Sequence, residues 1–406
     1  MSGAPGPGAK RGVALSAPAP IAPRDGYQRD FWLVFAASAA LSLATNLFVF
    51  FPVFIVRLGG GAAIIGALAG VGSLAALGVR PGVGALIDWR GRRWTALWSV
   101  LLEAVAIALY VPVHALGWPI YAVRLLHGAV DGTARVALFA MVFDILPQGR
   151  RGEGMALFSL CGIGPAAFGP LVGEALMKRF GFALFFYAAS ALCLGAAAAI
   201  AMLNDDRPFG VAQQCEGGER TGYRALLLDP DLLPLWLVAF TFSIAISPRN
   251  NFVAPFAYQR GIAHVGWYFA VYSAIAVAVR LLGGRLMDRV GVERIVPPSL
   301  GLLAFGIALL ALTGRGGALL GAAVLGGLGH AYTYPALSAL VIAHTPPAAF
   351  GRSSTIYTSL FDFAAMVAPY LLGLVATRWG YGPMFVVAGL AGALGAAYCM
   401  AAVRTR

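Results

Sequence analysis

The sequence predicts an all-α membrane protein of twelve spanning helices in two pseudo-symmetric halves of six. Three observations lead there. Sixty per cent of the 406 residues are hydrophobic and only 11% are charged, with a mean hydropathy of +0.80. A soluble chain of this length needs far more charge to cover its surface. Twelve stretches reach the roughly 20 apolar residues that a bilayer-spanning helix requires. Finally, one pattern occurs twice: Arg80, Gly84, Asp88 and Gly91 return as Arg280, Gly284, Asp288 and Gly291 at one constant offset. Such self-similarity across half a chain is the mark of two fused copies of one unit.

Residues 1–30 are rich in Ala, Pro and Gly, carry four basic residues and lack an apolar core. They read as a disordered cytoplasmic tail without a cleaved signal. The twelve expected spans are 31–56, 62–87, 94–114, 119–144, 154–177, 182–203, 233–257, 265–287, 294–313, 317–343, 353–376 and 382–403. Residues 31–203 make a first six-helix bundle, the polar stretch 204–231 a cytoplasmic linker, and 232–403 a second bundle. A helix spans because it satisfies its own backbone in lipid. Most Lys and Arg fall on the side of the tail, the linker and the C-terminus, so both termini are expected in the cytoplasm.

Intramembrane polar residues are expensive, and each is a functional candidate. Span one offers Thr45 and Asn46 beside Phe48, Phe50 and Phe51. Span three holds Glu103, with no partner assigned. Span four carries Arg124, His127, Asp131 and Arg135. At 100° per residue, Arg124, Gly128, Asp131 and Arg135 share one face. Span five has Gly169-Pro170-Leu171-Val172-Gly173. Span seven holds Ser247-Pro248-Arg249-Asn250-Asn251, where Arg249 suits a carboxylate or phosphate. Under the repeat register, Asn46 aligns with Arg249. Span ten presents His330, Tyr334 and Ser338 near one face, and span eleven holds Asp362.

The stretch Gly84, Asp88, Gly91, Arg92 and Arg93 resembles the signature loop of the major facilitator superfamily, which joins the second and third helices of each half. Trp89 stands where the family usually has arginine, and the second copy has Val292 and Glu293 in place of two basic residues. The resemblance spans roughly 31–403. It implies a central cavity lined by helices one, four, seven and ten, and a signature loop on the cytoplasmic side acting as a conformational latch. That latch comprises Gly84, Asp88, Gly91, Arg92, Asp144 as the partner of Arg92, and Asp288 in the second copy. It should form only when the cytoplasmic side is closed. Arg124 and Gly128 resemble the fourth-helix Arg-x-x-x-Gly motif, tied in the family to proton coupling. Gly169, Pro170 and Gly173 resemble the antiporter motif, with Glu174 in place of its final glycine. The family's architecture sets helices two and eleven side by side, so Arg80 and Asp362 are expected as a buried ion pair; Arg280 competes for Asp362.

The expected function is therefore secondary active transport of a small polar, anionic or zwitterionic organic molecule, with protons and the lipid bilayer as partners. The cavity residues are Asn46, Arg124, His127, Asp131, Arg135, Arg249, Asn250, His330 and Tyr334. Proton-coupled efflux is favoured; uptake by a proton symporter of a sugar or organic acid is the alternative. A non-transporting sensor or scaffold would need no inward-facing charge. A monomer without cofactor or metal is expected. The net charge of +12 does not indicate nucleic acid, because the basic residues form no stripe. No phosphate-cradling Gly-x-x-x-x-Gly-Lys occurs, and no nucleophile–base pair with enzymatic spacing. Gly70-Val71-Gly72 mimics a dinucleotide fingerprint inside an apolar helix with no strand before it. Cys161, Cys193, Cys215 and Cys399 have neither metal nor redox spacing and read as packing residues.

Overall fold

The computed structural model describes residues 29–146, 151–203, 222–282, 284–314, 316–346 and 349–404. Residues 1–28 of the expected tail and the first part of the expected linker, with Cys215, lie outside them, whereas Arg29 and Asp30 already belong to the first helix. Each of the twelve expected spans coincides with helix, and no strand occurs among the described residues. We number them α1 (Arg29–Leu47, a 3-10 turn Phe48–Phe50, then Phe51–Arg57), α2 (Ala62–Arg90), α3 (Arg92–Ala108) and α4 (Trp118–Ile145). The helix Arg151–Ala201 breaks at Gly181, φ +79°, into α5 before it and α6 after it. Then follow α7 (Leu233–Asn251 and Val253–Gln259), α8 (Gly266–Leu282 and Gly284–Val290), α9 (Val292–Leu309), α10 (Gly316–Ala343), α11 (Phe350–Trp379) and α12 (Tyr381–Arg404). Among the described residues, seven helical stretches are by themselves long and apolar enough to cross a membrane. The expected linker is not wholly irregular. Tyr223–Leu227 form a short helix, seated by buried Leu226, whose carbonyl accepts the Trp236 indole N–H at 3.1 Å.

The repeat has a backbone cause. Gly91 and Gly291 sit at φ +86° and +88°, in the left-handed region where other residues are strained. Gly181 and Gly380 do the same at the α5–α6 and α11–α12 turns. Packing repeats too. The α2·α4 and α3·α4 contacts of the first six helices recur as α8·α10 and α9·α10 in the last six.

Helices α2 and α11, and α5 and α8, join the first six to the last six. At the face opposite the signature turns these contacts are tight. A Cβ on Gly66 would stand 2.7 Å from the Pro369 carbonyl carbon, and one on Gly70 2.6 Å from the Met366 oxygen. Ser273 donates to the Ala166 carbonyl at 3.0 Å, and the Ala63 N–H to Thr377 Oγ1 at 3.0 Å. Toward the signature face the helices part: nothing stands within 4 Å of a Cβ on Gly78, Gly82, Gly84, Gly162 or Gly164. The molecule is thus closed on one face and open on the signature face. Overpacking the closed end should cost about 1–3 kcal/mol. Gly66→Val is expected to lower the unfolding temperature of purified protein, while Gly82→Val leaves it unchanged.

Candidate functional site: a charged central vestibule

The α4 stripe divides. Asp131 and Arg135, one turn apart, pair through Arg135 Nε to both carboxylate oxygens at 2.9 and 3.0 Å. Arg135 Nη2 also donates to Thr45 Oγ1 of α1 at 2.9 Å. These side chains are 46% and 25% exposed for Arg135 and Asp131, so the pair opens to the vestibule. Arg124, expected beside them, turns away. Its Nε donates to the Leu68 carbonyl of α2 at 3.2 Å, and its guanidinium lies over Phe51 at 5.3 Å. Gly128 lets α4 approach α2 this closely, since a Cβ there would come 2.8 Å from Gly72 backbone. The Arg-x-x-x-Gly motif thus docks two helices here. His127, expected in the cavity, is buried instead: its Nδ1 lies 3.3 Å from the Tyr110 hydroxyl. Asn46 bonds back to the Ser42 carbonyl at 2.8 Å and packs against Gly169. Gly173 lies against Leu47 and Phe50. The small residues around Pro170 therefore seat α1 on α5.

In the last six helices, α7 runs past Pro248 to Asn251. Arg249 donates through Nη1 to Asn250 Oδ1 at 2.8 Å, and its guanidinium stacks over Tyr272 of α8 at 4.2 Å. Arg249 Nε, the Tyr268 and Tyr272 hydroxyls and His330 Nδ1 are all buried without a hydrogen-bond partner. Such a concentration of unmet polar atoms is rare in a native core. The two tyrosines escaped the sequence reading because a turn-spaced pair beside Phe269 reads as apolar packing. Tyr334 is 39% exposed and packs on Tyr357 and Phe361 of α11. One turn before it, the His330 ring meets Phe242 and Tyr272, and Phe242 in turn meets Phe361.

Arg80 Nη1 of α2 lies 2.7 Å from Asp362 Oδ2 of α11. The contact is an ion pair whose angles miss hydrogen-bond geometry. Its side chains are 35% and 27% exposed, so it is half-open to the vestibule rather than buried as expected. Arg280 is exposed and forms no ion pair among the described residues. At the signature turn, Asp88 is exposed, near Arg92 but in no ion-pair contact among the described residues, and Gly84 faces open space. Arg92 pairs with Asp144 and donates to the Ala140 carbonyl at 3.2 Å. This corrects the expectation that the Arg92–Asp144 contact exists only when that face is closed. It joins α3 to α4 within one bundle, so opening leaves it intact. The Asp288 side chain lies outside the described residues.

The closed face holds a contact that sequence reasoning missed. Glu174 of α5, 5% exposed, accepts the Val265 N–H at 3.0 Å and the Gly266 N–H at 2.6 Å, at the start of α8. Lys178 pairs with it at 2.6 Å. The departure from the antiporter glycine is the signal that could have found it: a carboxyl where the motif has no side chain.

Comparison with known proteins agrees with this architecture. The staphylopine export protein of Staphylococcus aureus is 22% identical, over 88% of this chain and 90% of its own. A solved mutant of the nucleoside transporter NupG superposes with a TM-score of 0.79 at 14% identity, covering 92% of this chain and 99% of its own. A bacterial homologue of the lysosomal transporter Spinster, in an inward-facing and unoccupied conformation, gives 0.76 at 14% identity over 94% and 98%. The family model of the Major Facilitator Superfamily matches residues 31–264 and 250–406. With these matches on a bundle of apolar helices around a charged vestibule, the chain belongs to the major facilitator superfamily and is a multi-pass membrane transporter rather than an enzyme.

Proposed function

We propose that the protein exports a small zwitterionic or anionic organic molecule across the cytoplasmic membrane by proton-coupled alternating access. The bundles 31–203 and 232–403 rock about the vestibule, and both termini and the signature turns face the cytoplasm. The observation that carries the reading is a half-exposed ion pair in one bundle and an incompletely bonded guanidinium in the other. Asp131 with Arg135 stands on α4; Arg249, with an unpartnered Nε, stands on α7. A zwitterion's carboxylate would meet Arg249 through charge-assisted bonds. Its ammonium would compete with the proton for Asp131, which is the logic of antiport. The export relative supports this direction. In the alternate state Asp88 would meet the N-terminal end of α11, where helix N–H groups favour an anion.

The Asp131–Arg135 pair favours a second reading. A proton on Asp131 releases Arg135 for an anion, so proton and anion would bind together, as in symport. Acidification separates the two: it should weaken substrate binding for antiport and strengthen it for symport. Metabolite profiles of a deletion strain against an overexpressing strain identify the molecule, and everted vesicles with an imposed pH gradient test its drive. Unchanged metabolite pools, or flux indifferent to the gradient, would overturn the proposal. Once the compound is known, Arg249→Gln is expected to raise its Kd at least tenfold, since one charged hydrogen bond is worth about 1.5 kcal/mol or more. Equal affinity in the purified variant removes Arg249 from the site.

A further inference from the structure

A second carboxyl lies behind Asp131. Glu103 of α3 is 1% exposed, and its Oε2 meets no hydrogen-bond partner. Its Oε1 stands 3.9 Å from His127 Nε2. The titratable and charged groups that face Glu103 are His127, Asp131 and Arg135 from α4 and Cys193 from α6. Tyr110, at the outer end of α3, faces His127 rather than Glu103. His127 also faces the Arg124 guanidinium from its own helix, and aromatic rings close the site: Phe48 of α1 lies 4.7 Å from the His127 ring, with Phe185 and Phe186 of α6 behind it. Arg135 directs Nε and Nη2 to Asp131 and Thr45, and Glu103 forms no ion pair with Arg or Lys among the described residues.

A net charge sealed away from water is costly, and Arg135 and Arg124, bonded to other partners, offset it only through space. A bare carboxylate beside a neutral imidazole would leave one. A single proton on the pair removes it, whether the proton sits on Glu103 or on His127. Asp131 adjoins Glu103 on one side and the vestibule on the other, and so offers a route between them.

We propose that Glu103 and His127 form a buried store for one exchangeable proton, filled and emptied through Asp131. In the filling step the proton leaves the carboxylic acid of Asp131 for Glu103 or His127. Asp131 is left as the carboxylate that Arg135 binds. The store keeps the proton out of reach of both faces while the vestibule is closed. The inference rests on the proton-coupled reading for its role in transport, whereas the existence of the store can be measured without substrate.

The probe is the proton itself. Purified full-length protein is stepped from alkaline to acidic buffer, and uptake is counted with a pH indicator dye. Glu103→Gln, close in shape to the native residue, is expected to take up one proton fewer per molecule than wild type. His127→Gln keeps the carboxyl and is expected to keep the proton, bound at a shifted pH, while the double variant loses one. Should Glu103→Gln fail to fold, that shift is the deciding measurement. Equal uptake by wild type and folded Glu103→Gln, or an unshifted His127→Gln, overturns the store. The second arm is substrate flux in wild-type vesicles with and without a pH gradient. Flux that ignores the gradient overturns the coupling reading while leaving the proton count standing. Gradient-driven flux with equal proton counts overturns the store while leaving the coupling.

Discussion

Glu174→Ala is expected to shift the resting protein toward the state open on the face opposite the signature turns. In the present state that face is held by one buried carboxylate bridging α5 and α8. Two backbone N–H groups at the start of α8 donate to it, at 3.0 and 2.6 Å, where a helix end leaves donors unmet. The preceding His264 adopts φ +62°, the one left-handed non-glycine among the described residues. Such a conformation costs about 1–2 kcal/mol and persists where the surroundings over-determine it. Hydrogen bonds to a charged group are worth about 1.5–3 kcal/mol each. Losing two removes about 3 kcal/mol or more from this state alone, roughly a hundredfold in the equilibrium between the two faces. Glu174→Gln, whose amide oxygen can still accept one bond, should fall between. Spin labels on cysteines at the exposed positions Arg179 and Trp267, in a background without native cysteines, report the separation of α5 and α8. An unchanged distance distribution in Glu174→Ala sinks the latch.

Exchanging Arg80 and Asp362 is expected to restore what either single change removes. The pair bridges α2 and α11 at 2.7 Å. Breaking a buried pair from one side costs about 3–5 kcal/mol, because the remaining charge is left without its partner. Partial exposure of both side chains trims this toward the lower figure. Arg80→Asp sets two carboxylates together, and Asp362→Arg sets two guanidinium groups together. The double variant rebuilds the pair with its polarity reversed. A double-mutant cycle in thermal unfolding, with flux in vesicles beside it, measures the coupling. Additive losses in the double variant remove the pair from the interface between α2 and α11.

The fold was legible because the bilayer asks little of local sequence. A span needs about 20 apolar residues, and composition supplies that. Boundaries followed from turn chemistry: Gly91, Gly181, Gly291 and Gly380 occupy positive φ, where a side chain is strained. The site was legible only as a set of faces. The 100° period placed Asp131 and Arg135 together on α4, and they do pair. The same period placed Arg124 with them, yet its guanidinium goes to a carbonyl of α2. Periodicity states which way a side chain leaves its helix; the partner is whatever the neighbouring helix presents there.

The chain by itself determined the number and order of the helices, the repeat, and which intramembrane residues are costly enough to need an explanation. The tertiary structure alone decided how those costs are met. Glu103 faces His127 and Asp131, Glu174 caps a helix 91 residues away in sequence, and Tyr268 and Tyr272 hold unpartnered hydroxyls beside Arg249. The reason is physical. Hydrophobic burial in a membrane acts over a whole segment and is written into composition. An ion pair or hydrogen bond acts over about 3 Å, a distance that exists only after the helices have packed.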